Sequence, residues 1–259
     1  MKRRILPSAV VGIVGVLVAG AVAVSLWQAP RGVAQEPQPL LEYPAFPPTP
    51  TIGAPPAVAQ LAGVPLAQTG FDAAAALAAW QFVDLDPVLP DNPSNWAVTA
   101  EGRLAQQAAG RARNPSIQQT AALIGEAGWS DYTVQTSFYD LTNGTVGLLA
   151  RYSGETPTTA SYYRYRALKN SYEATPKQVL EKVENGVATT LTEIIAPGFE
   201  ERQWHVLALR VQGGSLTVTL NGQVVAEAED PRPLPAGRAG LYTRAIGGIL
   251  FDDVIVTAP

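Results

Sequence analysis

With 259 residues, 47% of them hydrophobic, and a formal net charge of -4, the chain is long enough for one large core and has no cationic excess for a nucleic-acid backbone. A cysteine count of 0 excludes disulfides, thiol nucleophiles and cysteine-ligated zinc.

The N-terminus sets the expected compartment. Lys2, Arg3 and Arg4 precede an uncharged stretch from Ile5 to Trp27, long enough as a helix to cross a hydrocarbon core of ~30 Å. Basic residues stay on the cytoplasmic side, so the rest of the chain is expected outside the membrane. Residues 1–27 read either as an uncleaved single-pass anchor, with the C-terminal domain extracellular, or as a signal peptide that leaves a secreted protein. Small residues suited to cleavage lie at Gly32 and Ala34 and at Ala21 and Ala23.

Residues 28–65 change character, with Pro30, Pro37, Pro39, Pro44, Pro47, Pro48, Pro50, Pro55, Pro56 and Pro65 among Ala, Gln and Thr. Proline neither continues a helix nor donates to a strand ladder, so an extended, disordered linker is expected here. The domain is expected over residues 66–259. It opens with an Ala-rich helical or irregular lead from Phe71 to Trp80, with Asp72 placed to cap it.

Short alternating runs follow. Asn95 to Val98 and Gly102 to Gln106 read as early strands about a turn at Glu101-Gly102, with a polar loop after them. Clearer strands span Asp131 to Asp140, Thr145 to Tyr152, Ser161 to Leu168, Val179 to Val183, Val187 to Ile194, Trp204 to Val211, Leu216 to Leu220, Gln223 to Ala228, Ala239 to Thr243 and Ile249 to Thr257. Asn143-Gly144, Asn185-Gly186 and Asn221-Gly222 each separate two such runs. Asn-Gly tolerates the two positive φ angles that a type I′ hairpin turn demands, so these strands pair antiparallel. Leu207, Leu209 and Val211 share one face, as do Leu216, Val218 and Leu220, and both rows are expected in the core with Thr217 and Thr219 turned outward. Trp96, Trp129 and Trp204 are expected to close the ends of that core.

A series of short motifs then carries a resemblance: Asn95-Trp96-Ala97-Val98, Gly128-Trp129-Ser130-Asp131-Tyr132, Val146 to Tyr152, Tyr162-Tyr163-Arg164-Tyr165, Trp204-His205, Leu220-Asn221-Gly222, Gly237 to Tyr242 and Phe251 to Val256. In this order they resemble the concanavalin A-like lectin/glucanase superfamily near its laminin G-like and 3-keto-disaccharide hydrolase-like branches, over about Phe71 to Thr257. The resemblance implies an all-β fold, an antiparallel two-sheet jelly-roll sandwich whose concave face or rim commonly meets carbohydrate. It further implies a structural Ca2+ held by a last-strand carboxylate, for which Asp253 beside Asp252 is available, with oxygen from the first loop, for which Asp72 is available.

Catalytic signals are sparse. The Glu-x-Asp-x-x-Glu strand of retaining glucanases is absent, and Asp131, Asp140, Glu181 and Glu184 read as solvated carboxylates near strand ends. His205 follows Trp204 in a strand and reads as a structural, hydrogen-bonded imidazole. Binding signals are better. Tyr162, Arg164 and Arg166 share one strand face, and Arg151 on the preceding strand is expected to approach them. Tyrosine rings cover apolar sugar faces and arginine forks bond paired oxygens. The bland alternative is a set of surface arginines paired with acidic neighbours. The sequence therefore reads as an exported, non-catalytic glycan-binding module held to the membrane by its N-terminal helix, with no nucleic-acid partner. A glycoside hydrolase of the 3-keto-disaccharide type is the alternative, and a structural or adhesion domain of the envelope the second.

Overall fold

A computed structural model describes residues 52–56, 58, 62–72, 74–87, 93–108, 119–142, 144–168, 175–244 and 247–259. The anchor or signal segment 1–27, most of the linker and Asn143 lie outside the described residues. Among the described residues no helix is long and apolar enough to cross a membrane. The compact unit that contains the described residues runs from Ile52 to Pro259.

Two antiparallel sheets form the domain. The first has the order β13 (Gln223–Glu229), β12 (Ser215–Leu220), β11 (Trp204–Gln212), β6 (Tyr132–Asp140), β15 (Ile249–Ala258), β4 (Leu104–Ala108) and β3 (Asn95–Val98), with β1 (Val64–Thr69) as an eighth strand on β15. The second has the order β10 (Val187–Ile194), β9 (Lys177–Glu184), β8 (Ser161–Leu168), β7 (Thr145–Ser153), β14 (Arg238–Arg244), β5 (Gln119–Ile124) and β2 (Trp80–Asp84). A 3-10 turn, Ala74–Ala79, leads into β2 where a helical or irregular lead is expected.

The Asn-Gly turns act as their chemistry dictates. Asn185 and Gly186 have φ of 50° and 76°, and Asn221 and Gly222 have 51° and 79°, so both residues of each turn lie in the left-handed region. Leu207, Leu209 and Val211 pair with Leu220, Val218 and Leu216. All of these except Leu220 are fully enclosed between the sheets, where Leu104, Tyr132, Phe138, Leu148, Tyr163, Tyr165, Leu241 and Phe251 join them. Leu209→Ala is expected to destabilise the domain by about 2–5 kcal/mol, the usual cost of a leucine-sized cavity, measured by chemical denaturation. A change below ~0.5 kcal/mol would mean that this row is not core.

Three strands escape the sequence reading. β1 contains Pro65, which reads as spacer, yet an edge strand tolerates proline, and the ladder with β15 is irregular between Pro65 and Ala67. β2 directly continues the Ala-rich turn. β5, Gln-Thr-Ala-Ala-Leu-Ile, lacks alternation because five of its six residues are buried, on both faces of the sheet. Trp204 also departs from expectation. Odd-numbered His205, Leu207 and Leu209 of β11 point inward, so Trp204 stands on the outer face of the eight-stranded sheet, half-buried and outside the core.

Candidate functional site

Alternation on β8 turns Tyr163, Tyr165 and Ala167 into the core and Tyr162, Arg164 and Arg166 onto the outer face of the seven-stranded sheet. Arg164 lies opposite Leu149 on one side and Glu181 on the other, while Arg166 lies opposite Gly147 and Val179. Gly147 in turn faces Tyr242 of β14. A Cβ at Gly147 would fall 2.0 Å from the Tyr165 carbonyl oxygen and 3.0 Å from the Tyr242 ring, so glycine lets that ring lie close against the sheet.

Glu181 organises this face. Its Oε2 accepts from Arg164 Nη2 at 2.6 Å and Nε at 2.9 Å and from Arg166 Nε at 3.1 Å, and its Oε1 accepts from Arg166 Nη2 at 2.9 Å. Burial alone would push the Glu181 carboxyl up, but the Arg166 hydrogen bond and the charges of Arg164 and Arg166 hold it below its ordinary value. Gln119 extends the network. Its Oε1 accepts from Arg164 Nη1 at 2.5 Å and from the Tyr242 hydroxyl at 2.7 Å, and its backbone N–H and Nε2 donate to Asp86 at 2.8 and 3.1 Å. Asp86 behaves oppositely to Glu181: burial lifts its carboxyl above the ordinary range despite the Gln119 bonds. The Arg164 guanidinium lies 5.9 Å from the Tyr162 ring centre and 5.1 Å from that of Tyr242.

The expected residues thus come together in part, and not as a free surface. Tyr162, Arg164 and Glu181 are only 5%, 6% and 4% exposed, so the arginines are spent on a buried carboxylate. Glu181 is not solvated, nor is Asp140, which is fully buried and accepts the backbone N–H groups of Thr142 and Gly144, both at 2.8 Å. Glu184 does remain exposed, as expected.

Arg151 is a correction. It lies at a bulge between Ala150 and Ser153 with φ of 53°, which rotates it away from Arg164. Its guanidinium donates to the carbonyls of Ser130 at 2.7 Å and Leu234 at 2.8 Å and pairs with Asp131 at 2.9 Å. It lies 6.0 Å from the ring centre of Tyr163, a core-facing residue, and its backbone N–H donates to the buried Tyr132 hydroxyl at 2.6 Å. Arg151, 4% exposed, staples the end of the sandwich through these contacts and does not approach Arg164 as expected.

The same bulge returns Tyr152 to the outer face, where its ring stacks on Tyr162 at 5.5 Å and 19°. Tyr152 borders an open cleft of about 370 Å³ with Gln81, Ala127, Ser153, Gly154, Glu155 and Arg238. A ladder of planar groups, Tyr152, Tyr162, Arg164 and Tyr242, therefore runs from the wall of this cleft, where Tyr152 is only 6% exposed, into the buried network. Sequence reading misses Tyr152, Arg238, Gln81, Gln119, Tyr242 and Asp86. An unbroken strand alternation would have placed Tyr152 on the inner face, and the bulge that reverses it has no local signature.

His205 takes the structural role expected of it. Its Nε2–H donates to the Glu200 carbonyl at 2.8 Å, its Nδ1 accepts from Asn221 Nδ2 at 3.0 Å, and its ring stacks on Phe138 at 5.3 Å. Asp72, Asp252 and Asp253 cluster near the edge of β15. That strand pairs with β4 through Ile249 to Phe251 and with β1 from Val254 onward, so Asp252 and Asp253 occupy the gap, the latter with φ of 49°. Burial and then neighbouring negative charge, Asp72 included, raise both carboxyls. Among the described residues no group of three or more His, Asp or Glu side chains could hold a metal ion. A cation at this gap would take Asp72 and Asp253 and need backbone carbonyls besides.

Comparison with known proteins places these features. No curated protein matches the chain. In structure it is similar to a galectin-like protein of unknown function from Bacillus subtilis, with a TM-score of 0.58, 13% identity, and 76% of this chain and 96% of that one covered. It is also similar to the Emp46p carbohydrate recognition domain, with a TM-score of 0.51, 8% identity and coverage of 71% and 90%. The GH43 BlXynB protein of Bacillus licheniformis matches with a TM-score of 0.51 and 15% identity over 74% of this chain and 39% of that one. These likenesses support the jelly-roll fold expected from the sequence. A family model for the 3-keto-alpha-glucoside-1,2-lyase-like domain matches residues 67–256, most of the domain. The chain belongs to the 3-keto-alpha-glucoside-1,2-lyase-like domain family.

Proposed function

We propose that this protein binds glycan through the outer face of its seven-stranded sheet, at the cleft bordered by Tyr152. The observation that carries this reading is the Tyr152–Tyr162 stack at the mouth of the Arg164–Glu181 network. The part of the Tyr152 ring that reaches the cleft, held rigidly by Tyr162, gives a small apolar contact for a sugar, while Gln81, Glu155 and Arg238 offer donors and acceptors to hydroxyls around it. Retention of the detergent-solubilised full-length protein on immobilised oligo- and polysaccharides tests it. Saturable retention that free sugar displaces is expected, and no retention on any glycan would end the reading.

The protein is exported and tethered, with Lys2, Arg3 and Arg4 inside and residues 28–51 as the spacer. It is expected to fractionate with membranes and to lose its domain to externally added protease. A mature N-terminus at Gln35 would replace the anchor by a cleaved signal. Ca2+ belongs to the same proposal, with Asp72 and Asp253 as ligands. Chelator is then expected to lower the melting temperature and added calcium to restore it; an unchanged melt removes the site.

A second reading, sugar-lyase or hydrolase chemistry, is favoured by Asp86. The family is named for activity on 3-keto-glucosides, and Asp86 is a carboxyl kept above its ordinary range in the network that joins it through Gln119 and Arg164 to Glu181, whose own carboxyl is held low, the kind of divergence that separates acid from base roles.

A further inference from the structure

The end of the proline-rich segment is built onto the domain. Trp204 lies opposite Tyr139 in register, with their rings edge to face at 5.4 Å, and the Arg103 guanidinium lies 5.1 Å from its ring centre. Trp204, backed by Tyr139, and Arg103 meet a segment that forms neither helix nor strand. Trp204 Nε1 donates to the Gly53 carbonyl at 2.9 Å, and Arg103 Nη2 donates to the carbonyls of Gly53 at 2.8 Å and Ile52 at 3.2 Å. Ser137 Oγ donates to the Pro56 carbonyl at 3.4 Å.

Burial along the segment has a period of three. Ile52, Pro55 and Val58 are half-buried, whereas Gly53, Ala54 and Pro56 are exposed. A polyproline II strand has three residues per turn and no internal hydrogen bonds, so it presents one side chain in three to a surface and leaves its carbonyls for outside donors. An aromatic platform with an indole N–H and an arginine fork supplies both requirements. Arg103 is only 7% exposed with the segment in place, so the Ile52 and Gly53 carbonyls stand where water would otherwise satisfy its guanidinium.

We propose that Arg103 and Trp204, with Tyr139 behind Trp204, form a recognition site for an extended, proline-containing peptide on the outer face of the eight-stranded sheet, filled in cis by Ile52–Pro56. The site holds Ile52–Pro56 on the outer face of the eight-stranded sheet, whereas the cleft lies on the seven-stranded one. This inference does not rest on the glycan reading. Its specificity is for carbonyl-rich backbone in three-fold register, and a second chain with the same register competes for it.

The chain has no cysteine, so Ala54→Cys gives the full-length protein a single spin-labelling position on an exposed residue. The label is expected to be immobilised in the otherwise unaltered chain and to lose its immobile component when Trp204→Phe and Arg103→Met are combined, with the thermal melt retained. Phe keeps the ring and removes the donor. Should the double variant melt early, Pro55→Gly with Pro56→Gly, which alters no residue of the sheets, is expected to mobilise the label in its place. To that proline variant a synthetic peptide spanning Thr51 to Val58 is expected to bind saturably, with a change in tryptophan emission that Trp204→Phe abolishes. A label that is already mobile in the parent chain, one still immobile in a folded double variant, or the absence of saturable peptide binding would overturn the proposal.

Discussion

Glu181→Gln is expected to destabilise the domain by about 3–5 kcal/mol, the usual penalty for removing one partner of a buried ion pair. The side chain keeps its shape, so little of this comes from lost packing. The cost arises because Glu181 compensates two guanidinium groups, and neither Arg164 nor Arg166 gains an equivalent acceptor from a neutral amide. The pH dependence carries the same signature. The folded Glu181 carboxyl lies below its ordinary value of 4.5. The unfolded chain thus takes up a proton first, and the contribution is complete above the unfolded value and lost as pH falls through the lower folded one. The variant is expected to lose that segment of acid dependence, measured as denaturation free energy against pH. An unchanged acid limb in a folded variant would mean that the arginines are neutralised elsewhere.

How much of this was legible depended on which physical rule governs each residue. Asn185-Gly186 and Asn221-Gly222 carry their turn geometry in their own covalent structure, and the leucine rows of β11 and β12 carry their face in their period, so the sandwich could be read directly. The grouping of Tyr162, Arg164 and Arg166 followed from the same period. Their burial did not, because Glu181 is 15 residues from Arg166 and joins it only through the pairing of β8 with β9. Arg151 and Tyr152 failed together, since one inserted residue exchanges the two faces of a strand and leaves hydrophobicity unchanged. Trp204 is expected to close the end of the core because large aromatics usually lie inside, yet its odd-even position relative to the inward Leu207 places it on the outer face. The held segment Ile52–Pro56 was hidden by composition: proline excludes helix and ladder but not docking.

The same face supports one measurement that separates recognition from catalysis. Tyr152→Ala is expected to weaken glycan retention by roughly 10-fold or more, the equivalent of ~1.4 kcal/mol, because it removes the ring of the stack that borders the cleft. Asp86→Asn is expected to leave that retention intact. It is also expected to fold, since an amide oxygen still accepts from Gln119 and the raised carboxyl contributes no stability at neutral pH that ionisation protects. For such a group the contribution is present below the unfolded value and lost as pH rises through the higher folded one. Turnover of a 3-keto-glucoside, followed as release of the second sugar, distinguishes the roles. A module that only binds gives none with the unaltered protein. If the unaltered protein does release sugar, and Asp86→Asn lowers the rate by about 10²–10⁴-fold at unchanged affinity, Asp86 is the proton-transferring group and the catalytic reading replaces the binding one.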